Sequence, residues 1–204
     1  MQRFDELMFT PAVTALQRGE GAAEMYARSY GARTGPLGAD DIAFLTSRTS
    51  FYMATVSETG WPYIQHRGGP AGFLKVIDDH TLAFADYRGN KQHISHGNVQ
   101  QDARVSLFAM DYPRKARMKL QGHAAFEDAA QNPDLAAALT TDGGGRVERL
   151  VTIKLAAFDW NCPQFITPRF DVAELAQLVG PQMDALNARV AALEAENARL
   201  KGQG

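Results

Sequence analysis

Arg67 and Lys91 are the two cations around which a binding chemistry can be built in this chain. Gln65-His66-Arg67-Gly68-Gly69 ends one alternating stretch, and Asp86-Tyr87-Arg88-Gly89-Asn90-Lys91 follows the apolar run at 81–85. Cations, an amide and permissive glycines at consecutive strand ends are what a phosphorylated, planar ligand requires. Arg and Lys give charge-assisted hydrogen bonds to phosphate, and Gly lets backbone approach a ring closely. The plainer account of Arg88 and Lys91 is a solvated surface loop, where such residues are common.

Other chemistries are poorly supplied. His93 and His96 are three apart and share a helical face, but no acid or thiol accompanies them at metal-ligand spacing, so no metal site is expected. Asp78-Asp79 reads as turn chemistry. The glycine run 143–145 precedes Arg146 rather than Lys-Ser or Lys-Thr, which excludes a nucleotide-hydrolase phosphate loop. Arg114-Lys115-Ala116-Arg117 is a short basic cluster without interleaved aromatics after Tyr112, in a chain of net charge −2, so neither nucleic acid nor anionic membrane is an expected partner. A single cysteine, Cys162, excludes an intramolecular disulfide and fits a reducing compartment. Asp5 and Glu6 interrupt what a signal peptide would need, and no window reaches transmembrane length, so a cytoplasmic location is expected.

The elements that must position these residues are legible from period and turn chemistry. The first forty residues read as a helical lead-in, Pro11-Ala12-Val13-Thr14-Ala15-Leu16 and Ala22-Ala23-Glu24-Met25-Tyr26-Ala27 being separated by Gly19-Glu20-Gly21. A connector at 31–38 leads to a short helix with Asp40 as its expected N-cap. From Ser50 the period becomes that of strands. Phe51-Tyr52-Met53-Ala54-Thr55-Val56 and Trp61-Pro62-Tyr63-Ile64-Gln65-His66 form one hairpin, and Phe73-Leu74-Lys75-Val76-Ile77 and Thr81-Leu82-Ala83-Phe84-Ala85 a second. A helix at 93–101, strands at 104–110 and 118–126, a helix from Asn132-Pro133-Asp134 to Leu139 and a strand at 150–158 complete the body, with Gly122 marking a bulge. At least six short strands in hairpin order point to a closed or nearly closed antiparallel barrel.

The tail changes period again. Met183, Leu186, Val190, Leu193, Asn197 and Leu200 follow a three–four spacing, which puts Met183, Val190 and Asn197 at a and the leucines at d of a heptad. Arg189 and Glu196 at g then face Glu194 and Lys201 at e of a parallel partner. A self-associating coil is the favoured reading over an amphipathic helix packed on its own barrel.

GWPYIQHRGG, then LAFADYRGNKQHI and DARVSLF, resembles the flavin-binding split barrel of the pyridoxamine 5′-phosphate oxidase superfamily, in particular its oxidase-related branch. The resemblance runs from 41 to 126, with an outlying match in Trp160-Asn161-Cys162-Pro163-Gln164 and Pro168-Arg169-Phe170. It implies FMN as cofactor, with its phosphate held by the segment of Asp86, Tyr87, Arg88, Asn90 and Lys91. Asn90 stands where better-known members carry arginine, and Arg88 supplies that charge. Gln65, His66, Arg67 and Gly68 match the strand along the isoalloxazine, where Arg67 or Gln65 would place a donor near N1, the region that gains negative charge on reduction. His66 has a second account as a hydrogen-bonded structural histidine. Arg117 aligns with a residue that reaches the other subunit's flavin, and Trp160 and Arg169 with residues that close the site across the dimer interface. Trp160 equally fits a residue packing the barrel mouth. Cys162 reads as a structural thiol.

The expectation is therefore a mainly β (α+β) protein, a split antiparallel β-barrel with flanking helices and a C-terminal amphipathic coiled-coil helix. Residues 1–40 form a helical extension, 41–170 the FMN-binding barrel and 171–204 a helical dimerisation segment. The resemblance implies a homodimeric, FMN-dependent oxidoreductase acting on a small-molecule substrate. The rival readings are a non-catalytic flavin or haem binder or sensor on the same barrel, and a deazaflavin-dependent reductase. Pyridoxamine-phosphate oxidation itself is not expected, because Phe165-Ile166-Thr167-Pro168-Arg169 keeps at most the arginine of that enzyme's C-terminal motif.

Overall fold

The computed structural model describes residues 1–30, 35–141, 145–160 and 163–202. The start of the connector at 31–34, Gly143, Gly144, Asn161 and Cys162 lie outside the described residues. In chain order the elements are α1 (Phe4–Met8), α2 (Pro11–Gly19), α3 (Ala23–Tyr30), α4 (Ala39–Thr46), β1 (Ser50–Val56), β2 (Pro62–Gly68), β3 (Lys75–Asp78) and β4 (Thr81–Tyr87). There follow α5 (Ile94–Gln101), β5 (Arg104–Asp111), β6 (Ala116–Asp128), a 3₁₀ turn (Ala129–Gln131), α6 (Pro133–Leu139), β7 (Val147–Trp160) and α7 (Val172–Lys201). The residues form two compact units. One comprises Met1–Asp111 and Ala116–Gln164; the other comprises Tyr112–Lys115 and Phe165–Gly204 and contains α7.

Local chemistry sets most of the boundaries. Pro11 opens α2, where its missing N–H is no loss, and the Thr10 hydroxyl accepts from the Val13 amide at 3.4 Å. The expected Asp40 cap is corrected by the structure. Gly38 is the N-cap of α4 and its amide donates to Asp41 Oδ2 at 2.9 Å, so Asp40 falls in the first turn. Strand β3 also starts later than its apolar run. Phe73 and Leu74 are buried, but the ladder with β4 begins at Lys75.

All strand pairs are antiparallel, in the order β2-β1-β5-β6-β7-β4-β3. Both expected hairpins form, β1 with β2 and β3 with β4. The sheet curls strongly. The Phe51 ring of β1 lies 5.4 Å from that of Phe84 on β4. Four strand steps in a flat sheet would put β1 and β4 about 19 Å apart at about 4.8 Å per step. Phe51, Met53, Leu107, Met118, Leu120, Phe84 and Ile153 fill the enclosed core. Closure stops short, because β2 and β3 remain edges with no ladder between them among the described residues. The fold is thus a split antiparallel barrel with flanking helices.

Two irregularities have clear causes. β4 shows a continuous buried run instead of alternation, because Leu82 and Phe84 face the main core while Ala83 and Ala85 pack with Leu139 of α6 and Leu150 of β7. The β6–β7 register shifts between Gln121 and Gly122, the bulge expected at that glycine. A Cβ on Gly122 would stand 2.7 Å from Lys154 O, so the two backbones approach closely only because no side chain intervenes.

Candidate binding site at the open seam of the barrel

Where the barrel fails to close, a hollow of about 300 Å³ opens between Tyr63, Gln65 and Arg67 of β2 and Asp86 and Tyr87 of β4. The loop carrying Asn90 and Lys91 and the first turn of α5 form one end, and Phe126, Glu148 and Arg149 contribute from β6 and β7. Strand alternation puts Tyr63, Gln65 and Arg67 on one face of β2. The Tyr63 hydroxyl donates to Gln65 Oε1 within that row. His66 takes the opposite face, its ring 5.7 Å from that of Tyr52.

Asp86 is the hub of the site. Its Oδ1 accepts from Arg67 Nη1 at 2.9 Å, and its Oδ2 from Arg149 Nε at 2.9 Å and Nη2 at 2.7 Å. Glu148 extends the network, with Oε2 3.9 Å from Arg149 Nη1 and Oε1 3.7 Å from Arg88 Nε. Two carboxylates therefore face three guanidiniums, and Lys91 adds another cation, which leaves the region electropositive. Arg67 Nε is buried without a hydrogen-bond partner among the described residues.

The first turn of α5 has the same unfinished character. Its N-cap, His93, supplies no capping side chain and takes left-handed dihedrals (φ 55°), as does Lys91 (φ 61°). Non-glycine residues in that region are held there by surrounding structure at a cost of about 1 kcal/mol or more. Ser95, only 4% exposed, lines the hollow with an Oγ that has no partner among the described residues. A helix N-terminus with an unsatisfied hydroxyl beside it is a receptor for an anion.

His96 stacks on Phe126 with ring centroids 4.8 Å apart and planes at 22°. Burial holds its pKa below the ordinary histidine value, helped by the nearby Arg149 and His93 charges and opposed by Asp86. At neutral pH it is therefore a neutral ring with one donor and one acceptor nitrogen. Beyond this pair lies a second trough of about 420 Å³, which shares His96, Phe126, Glu148 and Arg149 with the hollow.

Of the residues singled out in the sequence, Gln65, Arg67, Asp86, Tyr87, Asn90 and Lys91 line the hollow. Others lie elsewhere within one chain. Gly68 sits at the end of β2, where a Cβ would be 2.8 Å from the His66 ring. Arg88 is exposed beside Glu148. Trp160 donates Nε1–H to Asp41 Oδ1 at 2.7 Å and packs edge-on against Phe44. Arg117 is partly buried, its Nε without a partner among the described residues. Arg169 belongs to the second unit, its guanidinium 5.0 Å from the centre of the Tyr112 ring. Tyr63 was legible from the alternation of β2 and His96 only as the helical neighbour of His93, whereas nothing local marked Ser95, Phe126 or Arg149. Asp78, Asp79 and His80 bring metal-type ligand atoms within 4.8 Å, but on an exposed turn where Asp78 Oδ1 accepts from the His80 amide at 2.8 Å.

A family model described as pyridoxamine 5′-phosphate oxidase matches residues 42–155, which include every residue lining the hollow. No curated protein matches the chain significantly. Among solved structures the chain is similar to HupZ of Group A Streptococcus (15% identity, 66% of this chain and 100% of that one, TM-score 0.49). It is also similar to a Lactobacillus delbrueckii protein named for pyridoxamine 5′-phosphate oxidase (19% identity, 63% and 97%, TM-score 0.48). A third similar structure is an F420 reductase (15% identity, 61% and 98%, TM-score 0.44).

Proposed function

The chain belongs to the pyridoxamine 5′-phosphate oxidase family, and on that premise we propose that it is a cytoplasmic, FMN-dependent oxidoreductase that works as a homodimer on a small-molecule substrate. The observation that carries this reading is the convergence of Arg67 and Lys91 on one hollow whose wall holds the buried, unsatisfied Ser95 Oγ. Arg67 Nε and Ser95 Oγ, which have no partner among the described residues, fit a ligand that brings acceptors to both ends of the hollow. Lys91, Ser95 and the first-turn amides of α5 hold the phosphate. Arg67 and Gln65 hold the polar edge of the ring. The flavin, when bound, supplies two-electron chemistry, and the protein supplies placement and electrostatics.

Each residue's part follows from its surroundings. Asp86 fixes the Arg67 guanidinium by occupying Nη1, so that its positive charge stands at one place instead of sampling rotamers. A fixed cation there favours negative charge developing on the ring edge. His96, neutral and stacked on Phe126, offers a hydrogen-bond donor and an acceptor without adding charge. In the proposed homodimer Arg117, whose Nε has no partner among the described residues, is the side chain that would reach the site of the other copy.

The test is FMN titration followed by quenching of flavin fluorescence. Lys91→Ala and Ser95→Ala are each expected to weaken binding about 10-fold, one lost charge-assisted or buried hydrogen bond being worth about 1.5 kcal/mol. Unchanged affinity in both variants refutes the assignment. Anaerobic reduction of the loaded protein by NADH or NADPH separates an oxidoreductase from a flavin or haem binder that does not turn over.

A second reading is favoured by the trough beyond His96 and Phe126. A deazaflavin carrying a longer tail on its phosphate would use that additional 420 Å³. Mass spectrometry of the small molecule that co-purifies with the protein decides between the two.

A further inference from the structure

We propose that α7 pairs, parallel and in register, with α7 of a second copy of this chain along a seam that runs the whole length of the helix. This pairing does not depend on what the hollow holds. Helix α7 runs unbroken for 30 residues, Val172–Lys201, which is about 45 Å at 1.5 Å per residue. Its start is fixed by a capping box in which Asp171 Oδ1 accepts from the Glu174 amide at 2.8 Å and Glu174 Oε2 from the Asp171 amide at 2.9 Å.

The heptad seen in the sequence from Met183 continues backward to the first turn. Ala176, Met183, Val190 and Asn197 occupy a, and Val172, Val179, Leu186, Leu193 and Leu200 occupy d. None of α7 is buried within the chain, and the large apolar residues of this stripe are between 36% and 87% exposed. Pro181 falls at f, on the side away from the stripe, where its ring does not obstruct a partner. A continuous, exposed apolar seam requires another surface, and its pattern describes which one.

Two features select a second copy in parallel. Arg189 at g faces Glu194 at e of the other helix, and Glu196 at g faces Lys201 at e. Both pairs are attractive, and symmetry doubles each. Asn197 at a meets its own counterpart only when the helices are parallel and in register, so that the two amides bond each other. In an antiparallel pair a packs against d, and Asn197 would face leucine with its amide unsatisfied. A different protein would have to reproduce the same charge order by chance.

The test uses the full chain with Cys162→Ser, so that introduced thiols are the only ones. Under mild oxidation Leu200→Cys, at d, is expected to convert most of the protein to a disulfide-linked dimer, while Ala195→Cys, at the outer f position, stays monomeric on a denaturing gel. Equal cross-linking at both sites, or none at Leu200→Cys, overturns the proposal. A second measurement guards against a misfolded variant. Sedimentation equilibrium is expected to show several-fold weaker self-association for Arg189→Glu and recovery when Glu194→Lys is added, because the reversed pair attracts again. Failure of the second change to restore association overturns the parallel register.

Discussion

Arg67 on the edge strand β2 and Asp86 on β4 meet at 2.9 Å, although β1, β5, β6 and β7 separate their strands in the sheet. The same carboxylate holds Arg149 of β7 at 2.7 Å, so one acid ties the rim of the hollow to the strand behind it. The site is therefore part of what keeps the barrel curled.

Asp86→Asn tests that coupling directly. Neutralising the carboxylate leaves two partly buried guanidiniums facing each other, and a loss of about 2 kcal/mol in unfolding free energy is expected in urea titrations. FMN affinity is expected to fall together with stability, because Arg67 is released from its position. A variant as stable as the parent would remove the structural half of this argument.

His96 gives the site an acid limit. Its folded pKa lies below the unfolded value, so the unfolded chain binds the extra proton first. The contribution of His96 to stability is complete above the ordinary histidine pKa and is lost as pH falls through the lowered folded one. Comparison of melting temperatures from pH 7.5 down to about 5 is expected to show a shallower acid-side decline for His96→Gln than for the parent. NMR titration of the ring would reveal an error here by returning an ordinary or raised value.

Gly122→Ala probes the bulge where β6 crosses β7. The added methyl would meet Lys154 O at 2.7 Å and Ile153 Cγ2 at 2.9 Å, neither on a flexible chain end. Overpacking of this kind costs about 1–3 kcal/mol. Chemical denaturation measures it, and a neutral result would mean that the two strands slide apart easily.

Trp160→Phe separates packing from cofactor contact. The variant keeps a ring against Phe44 but loses the indole N–H that Asp41 Oδ1 accepts at 2.7 Å. A loss of about 1.5 kcal/mol, typical of a hydrogen bond to a charged group, is expected with FMN affinity unchanged. Loss of flavin with full stability would assign the residue to the binding site instead.

The strands, the two hairpins, α5 and the heptad of α7 were legible because each depends on neighbours a few residues apart. Alternation shows in Phe51 and Met53, and turn chemistry at Asp78-Asp79 ends β3. Gly122 was recognised for the same reason, since a lone glycine inside a strand pattern marks a close approach. The sequence misplaced the α4 cap by two residues, Asp41 being as good an acceptor as Asp40, and it extended β3 over Phe73 and Leu74, which are apolar and buried without joining the ladder.

By itself, the sequence determined the elements, their apolar faces and the pairing of cations with glycines at two strand ends, because those properties are local and periodic. Only the tertiary structure decided that Asp86 would be shared by Arg67 and Arg149, that Ser95 and His96 would stand in the hollow, and that Trp160 would answer to Asp41. Those partners lie 19, 63 and 119 residues apart for Arg67–Asp86, Asp86–Arg149 and Asp41–Trp160. Contacts across such distances are set by strand order and by how far the sheet curls before closing, and neither leaves a periodic trace in the chain.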